Sequence, residues 1–195
     1  MGDARRGHLH ERKDSRIFSS CSIRLREERM NRSILDEVDF SPEKGAFYYK
    51  DVRYLLIRPE TLAAFQKAIE KELGPNSSRI LFQSGFQGGS LSSKKYREVF
   101  QISDQEIVKF MIEMGPQIGW GRFELEEFDP ARKRLVVRVN HSPFAEAYGP
   151  SPSPVCHLIR GVLSGTASVV FGKEIEGEES ACVAKGDAFC RFEIM

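Results

Sequence analysis

Three of the chain's four cysteines fall in its last forty residues, spaced with an acid as Cys156-x22-Glu179-x2-Cys182-x7-Cys190. Zinc prefers thiolate sulfur, accepts a carboxylate oxygen, and takes four ligands tetrahedrally where its role is structural. If these residues share one ion, the segments that carry them must converge, which narrows the folds open to the chain. Cys156 opens a helix read from about Val155 to Gly172, where the N-terminal field favours a thiolate. Glu179 and Cys182 lie near the end of a strand read over Glu174–Val183. Cys190 begins its partner, Phe189–Ile194, after the Lys185-Gly186-Asp187 turn. A metal would then staple the last hairpin to a helix start. The spacing is not that of a standard zinc ribbon, since both CxxC pairs are missing. Buried free cysteines are the competing reading.

The rest of the chain reads as helices on an antiparallel sheet, an α+β architecture without βαβ repetition. Phe47-Tyr48-Tyr49 and Val52 to Ile57 are rich in aromatic and branched residues and predict short strands. Pro59 opens a helix to Leu73, with Leu62, Phe65, Ile69 and Leu73 spaced for one apolar face, and Gly74-Pro75-Asn76 stops it. Ser77 to Phe100 is mostly helical in pattern but contains Gly85, Gly88 and Gly89. Each glycine in a helix interior costs about 1 kcal/mol relative to alanine, so the three imply close approach of a ligand or helix, or a break. Ser103-Asp104-Gln105-Glu106 has the form of a capping box and leads into Ile107, Phe110, Met111 and Met114. Gly121–Phe128 and Leu135–Val139 alternate around Asp129-Pro130-Ala131-Arg132, which predicts a hairpin.

Charge and composition exclude several classes. The 195 residues carry a net charge of +1, so no global field argues for nucleic acid or an anionic membrane. Residues 1–32 carry nine Lys/Arg against five acids and show no period, which predicts a basic, disordered arm. Interleaved acids weaken a nucleic-acid reading of that arm, and Met30 is an alternative start. No stretch approaches the ~20 apolar residues of a membrane helix. The N-terminus lacks the apolar core of a signal peptide, so the expected address is cytoplasmic and reducing. Fourteen Phe suggest a core or pocket walled by rings. There is no GxxxxGK[ST] loop and no dinucleotide fingerprint after a strand.

Several runs together resemble a known family. They are Pro154-Val155-Cys156, Gly161-x3-Gly165-x-Ala167, Phe171-Gly172-Lys173-Glu174-Ile175 and Glu179-x2-Cys182-x3-Gly186-x3-Cys190-x-Phe192. They look like the 4-vinyl reductase domain, which also occurs in the sensor modules of phenol- and toluene-responsive transcription activators. The likeness is strong over about residues 118–195. It is looser from Tyr48 through Gly85–Gly89, where the chain is similar to the region preceding this domain in the sensors. The expected division is therefore a basic arm (1–32), the N-terminal part of a sensor-like domain (33–117) and a zinc- and ligand-binding domain (118–195).

The resemblance implies a structural zinc on Cys156, Glu179, Cys182 and Cys190. It also implies a twisted antiparallel sheet beside helices, as in vesicle-tethering complex subunits, with an internal apolar pocket. The sensors grip a phenol hydroxyl with a Trp and a His. Here Asn140 to Ala147 aligns with the Trp-containing strand but carries Pro143 and Phe144, and Gln117 to Trp120 occupies the neighbourhood of the His. The expected ligand is therefore apolar or aromatic and less polar than phenol. The candidate ligand-binding residues are Phe110, Met111, Met114, Trp120, Phe123, His141 and Phe144.

For each a plainer role stands beside this one: core for the sulfur and aromatic side chains, solvation for His141. His157 is a possible but unneeded extra ligand. Gly161 and Gly165 put small residues on one helix face, which implies close packing against another element or a second copy, and the related sensors are homodimers. The end at Met195 implies that output passes through a separate regulatory protein or self-association. The leading function is a small-molecule sensor module without chemistry of its own. The alternatives are a tetrapyrrole vinyl reductase or its accessory, which would need a hydride source, and a ligand-free assembly subunit.

Overall fold

Two antiparallel sheets flank a set of helices in the structure, a computed structural model that describes residues 33–195. The basic arm read over 1–32 lies outside the described residues. A short helix, α1 (Ile34–Glu37), leads into β1 (Val38–Ser41), β2 (Ala46–Tyr49) and β3 (Val52–Tyr54), which pair in that order. Three helices follow: α2 (Pro59–Leu73), α3 (Asn76–Phe100) and α4 (Asp104–Gln117). The second sheet is built from β4 (Arg122–Asp129), β5 (Arg134–Asn140), β6 (Gly177–Ala181) and β7 (Cys190–Ile194) in the order β4-β5-β7-β6. Between β5 and β6 run α5 (Pro143–Tyr148) and α6 (His157–Phe171). The α+β reading holds.

Local signals place most of these boundaries. Pro59 occupies the first turn of α2, where its missing N–H costs nothing. The Ser103 hydroxyl accepts the Glu106 N–H, and the Glu106 carboxylate accepts the Ser103 N–H at 2.7 Å, so α4 starts on a full capping box. The second sheet buries Leu135, Val137, Val139, Phe192 and Ile194 on α6, whose Ile159, Leu163 and Ala167 complete the main core. A second cluster gathers Tyr49, Tyr96, Ile107, Phe110 and Met114 beneath the first sheet.

Four details differ from the sequence reading. β1 has no counterpart in it, being a four-residue edge strand that pairs only with β2. The strand read to Ile57 stops at Tyr54, and Leu55 to Arg58 run free of either sheet. Asn140 to Ala147 does not continue as strand, because Pro143 sits at the first turn of α5 and presets helical φ. The apolar face of α2 is not its buried face: Phe65 is 60% exposed, while Gln66 is buried and donates to the Val155 carbonyl at 3.0 Å.

The glycines of α3 leave the helix unbroken, and their reason is a close helix crossing. A Cβ at Gly85 or Gly89 would lie 2.1 Å from the carbonyl oxygens of Leu158 and Val162 of α6. Reciprocally, a Cβ at Gly161 or Gly165 would lie 2.1 Å from those of Phe82 and Phe86 of α3. Of the two readings of Gly161 and Gly165, the neighbouring element is the one realised within the chain. Gly88 differs, with nothing within 4 Å of an added Cβ.

Candidate functional site

The spacing of Glu179 and Cys182 poses a parity problem that the backbone solves. Side chains alternate faces along a strand, so residues three apart should point oppositely. The register shifts between Glu179, opposite Phe192, and Ala181, opposite Arg191. The extra residue, Ser180, is a bulge that resets the alternation. Glu179 and Cys182 can then both face the core side that Cys190 and Phe192 occupy. Beyond β6 a single 3₁₀ turn (Val183–Lys185) reverses the chain, fixed by Lys185 N–H donating to the Cys182 carbonyl at 2.9 Å. The Cys182 N–H donates to the Asp187 carboxylate at 2.8 Å.

Cys156 caps α6 from the other side, and its N–H donates to Glu179 Oε2 at 2.9 Å. The three sulfurs and a Glu179 oxygen lie within 4.8 Å of one another, a group that could hold a metal ion. Cys156 and Cys190 Sγ are 3.7 Å apart, far beyond the ~2.05 Å of a disulfide. All three cysteines are free and buried. Glu179 Oε1 is buried with no hydrogen-bond partner among the described residues, the kind of orphan a cation would satisfy. His157 stays outside the group.

Four acidic groups in one buried site cannot all release their protons, and the site distributes them. The Cys156 and Cys190 thiols donate to Cys182, which pulls its thiol far below the usual range. Cys156, as donor, is pushed well up. Hydrogen bonding to Cys182 and Cys190, with burial, opposes the helix-start field read at Cys156. Burial, reinforced by the Cys182 sulfur, pushes the Glu179 carboxyl up to about 8. A dication would replace the shared protons and let every ligand ionise.

A partly enclosed cavity of about 180 Å³ lies where α3, α4, α6 and β4 meet. Its lining comprises Tyr54, Gly88, Ser92, Tyr96, Met111, Met114, Gly115, Ile118, Trp120, Phe123, Val162 and Leu163. Of the candidate ligand-binding residues, Met111, Met114, Trp120 and Phe123 come together there. Phe144 lies behind Trp120, edge-on with ring centroids 5.2 Å apart, and lines a neighbouring groove instead. Phe110 is not part of the lining; it packs at a tilt against Tyr96, with centroids 4.8 Å apart. His141 points to solvent, its side chain 85% exposed and its Nδ1 3.7 Å from a Glu146 oxygen.

The sequence reading missed Tyr54 and Tyr96, whose hydroxyls hydrogen-bond to each other and form the polar pole of the chamber. Tyr54 also donates to Met114 Sδ at 3.8 Å, and burial pushes its phenol up. A signal was available on α3: Gly88, Ser92 and Tyr96 are four apart and share one face. Val162 and Leu163 bring α6 into the lining about 9 Å, six residues, from the Cys156 cap. The Cys₃Glu group therefore meets the start of the same helix that walls the chamber.

Fold and site together define an α+β domain with a Cys₃Glu ligand group at its C-terminal hairpin and an apolar chamber between its helices. Residues 135–195 match the profile of the 4-vinyl reductase domain, and residues 33–129 match the profile described as activator of aromatic catabolism. Over these two segments the chain resembles the 4-vinyl reductase domain and the region that precedes it in activators of aromatic catabolism, and the resemblance holds in both of its parts. The phenol regulator MopR of Acinetobacter guillouiae is 26% identical over 192 residues, 92% of this chain and 33% of the relative. The transcriptional regulatory protein XylR of Pseudomonas putida is 26% identical over 182 residues, 82% of this chain and 30% of the relative. The chain spans about a third of the length of these curated relatives.

Among solved structures, the phenol-responsive sensory domain of the transcription activator PoxR superposes with a TM-score of 0.71 at 20% identity, covering 89% of each chain. A vinyl-4-reductase family protein from Methanocaldococcus jannaschii gives 0.50 at 17% identity, covering 97% of this chain and 98% of its own. A trafficking protein particle complex subunit 3 from Naegleria fowleri gives 0.50 at 13% identity over 70% of this chain and 93% of its own, which supports the tethering-subunit likeness of the fold. Among the described residues no helix is long and apolar enough to cross a membrane.

Proposed function

We propose that the chain is a small-molecule sensor module, that its Cys₃Glu group holds a structural zinc, and that it signals through a separate regulatory partner. The observation that carries the reading is the partly enclosed apolar chamber of about 180 Å³ walled by Met111, Met114, Trp120 and Phe123. A cavity of about 150 Å³ holds one benzene ring, so the chamber suits a single-ring or similarly small apolar molecule. That size favours an aromatic or hydrocarbon-like ligand over a tetrapyrrole, the substrate of the vinyl-reductase alternative. The Tyr54–Tyr96 pair supplies one polar contact. MopR, XylR and PoxR are named as regulators or sensors, two of them of phenol, which agrees with this class of ligand.

Zinc fits the ligand group on two counts. Thiolates bind it at about 2.3 Å, which sets tetrahedral sulfurs about 3.8 Å apart, and Cys156 and Cys190 Sγ stand at 3.7 Å. The unpartnered Glu179 oxygen provides the fourth donor. With four protein ligands the ion has no open position, so it fastens β6 and β7 to α6 and takes no part in chemistry. Residues 33–117 and 118–195 act as one module, since the chamber takes walls from both. A homodimer in the cytoplasm completes the reading. With Gly161 and Gly165 consumed inside the chain, the dimer contact falls to exposed apolar residues such as Leu35 and Phe40. Native mass spectrometry of the purified full chain tests the whole: one zinc per chain and a retained or added single-ring compound are expected. Zinc-free protein that binds neither benzene nor toluene would overturn it.

A further inference from the structure

Ser142 stands where a serine ordinarily caps a helix, and its side chain does not cap. It precedes Pro143 at the N-cap of α5, where a serine hydroxyl normally accepts an N–H from the first turn. Here the side chain makes no such bond, and only the Ser142 carbonyl joins the helix, accepting the Glu146 N–H at 3.0 Å. The hydroxyl lies instead 3.6 Å from Cys156 Sγ, on a residue with none of its surface exposed. A buried hydroxyl that gives up a local cap must be satisfied elsewhere, and the Cys156 sulfur is its partner.

The corner that carries Ser142 is tightly held. Val139 pairs with Cys190, so β5 ends beside the ligand group. His141 turns the chain at φ +53°. The Asn140 and His141 carbonyl oxygens crowd Gly121 so closely that a Cβ there would meet them at 2.8 and 2.9 Å. Pro143 then fixes the following φ. These constraints keep Ser142 against the start of α6.

Each member of the quartet has one donor behind it. The Cys156 N–H donates to Glu179 Oε2 at 2.9 Å and the Val183 N–H to Cys190 Sγ at 3.4 Å. The backbone N–H of Val155 serves Cys182, and Ser142 serves Cys156. Three thiolates and one carboxylate outweigh a single dication, and the excess negative charge is costly to bury unless donors are aimed at it. Once Cys156 is a thiolate it can only accept, so the Ser142 hydroxyl must donate. Among the described residues, Ser142 is the only side chain outside the quartet that bonds to one of its ligand atoms.

We propose that Ser142 is a positioning residue of the metal site, whose hydroxyl donates to Cys156 Sγ, holds that sulfur toward the other three ligands and offsets part of their charge. This rests on the zinc reading and adds to it a residue outside the ligand set. Of the four donors it is the one that a side-chain substitution can delete.

Zinc affinity of the full chain is measured by competition with a chromophoric chelator, and cobalt(II) is loaded in place of zinc to record the thiolate-to-metal charge-transfer band. Ser142→Ala adds no bulk and breaks no cap, so the metal-free variant should keep the wild-type circular dichroism. Ser142→Gly, tolerated at an N-cap, gives the same deletion if alanine disturbs the fold. Either variant should bind zinc about 10-fold more weakly, the low end of the loss usual for outer partners of a metal site. Without the hydrogen bond the Cys156 sulfur is richer in electrons, so the cobalt band should move to lower energy, which a merely structural role would not cause. Ser142→Thr keeps the hydroxyl and should keep the wild-type band. Deletion variants that bind zinc within about twofold of the wild type, or leave the cobalt band unmoved, overturn the role of Ser142 and leave the zinc reading intact. A band shifted in Ser142→Thr as far as in Ser142→Ala overturns it likewise. Wild type that takes up neither metal overturns both.

Discussion

Gly161→Ala is the sharpest test of how this fold is held together. The new methyl carbon would sit 2.1 Å from the Phe82 carbonyl oxygen and 2.8 Å from the Phe86 nitrogen, both backbone atoms that no rotamer change can move. An ordinary C···O contact needs about 3.4 Å, so α3 and α6 must part by more than about 1 Å. A gap of that size forfeits roughly a quarter to a half of each dispersion contact along the crossing. Overpacking of this kind costs about 1–3 kcal/mol and sometimes more, and here the whole interface moves, which places it at about 3 kcal/mol. Alanine returns up to about 1 kcal/mol through helix propensity. The net is a loss of about 2 kcal/mol or more, or about 4–8 °C in melting temperature for a chain of this length. Gly88→Ala is the control on α3, since its Cβ meets nothing within 4 Å, and it should be neutral or up to about 1 kcal/mol stabilising. Urea and thermal denaturation followed by far-ultraviolet circular dichroism measure both. If Gly161→Ala melts within about 2 °C of the wild type, the close crossing is not what these glycines are for.

The proposed zinc site predicts one zinc per wild-type chain and none in Cys182→Ser, with the last hairpin destabilised by several kcal/mol; metal analysis with thiol titration checks this, and zinc-free wild type with three reactive thiols would contradict it. Tyr148 donates to Glu70 at 2.6 Å, and this bond, with burial and the Glu70 charge, pushes its phenol up to about 12. The stability it supplies is whole below pH 10 and is lost as pH rises from about 10 through about 12, so Tyr148→Phe should flatten that limb of the urea midpoint against pH. The homodimer reading predicts a dimer by sedimentation at tens of micromolar, and a monomer there would refute it.

Some features of this protein are written in short stretches of chain. Pro59 and the Ser103–Glu106 box set helix starts because a cap acts within one turn. The hairpin at Asp129–Arg132 was legible for the same reason, while Cys156, Glu179, Cys182 and Cys190 stood out as a group only with the family resemblance, since Cys156 lies far from the other three in the chain. Even the bulge at Ser180 was implicit, because two ligands three apart on a strand require a reset of its alternation.

Other features depended on which elements meet. Nothing near Gly85 or Gly89 says that α6, more than seventy residues away, covers them rather than a ligand. Phe110 and Met114 share the apolar side of α4, yet Met114 reaches the chamber and Phe110 backs onto Tyr96. Tyr54, at the end of a three-residue strand, carries no pattern of its own and matters only because Tyr96 comes to face it. Backbone preference is settled by neighbours within a turn or a strand pair, and so the sequence displays it. The wall of a cavity is settled by packing among helices and strands distant in the chain, where every apolar side chain is equally at home until the tertiary structure assigns it a neighbour.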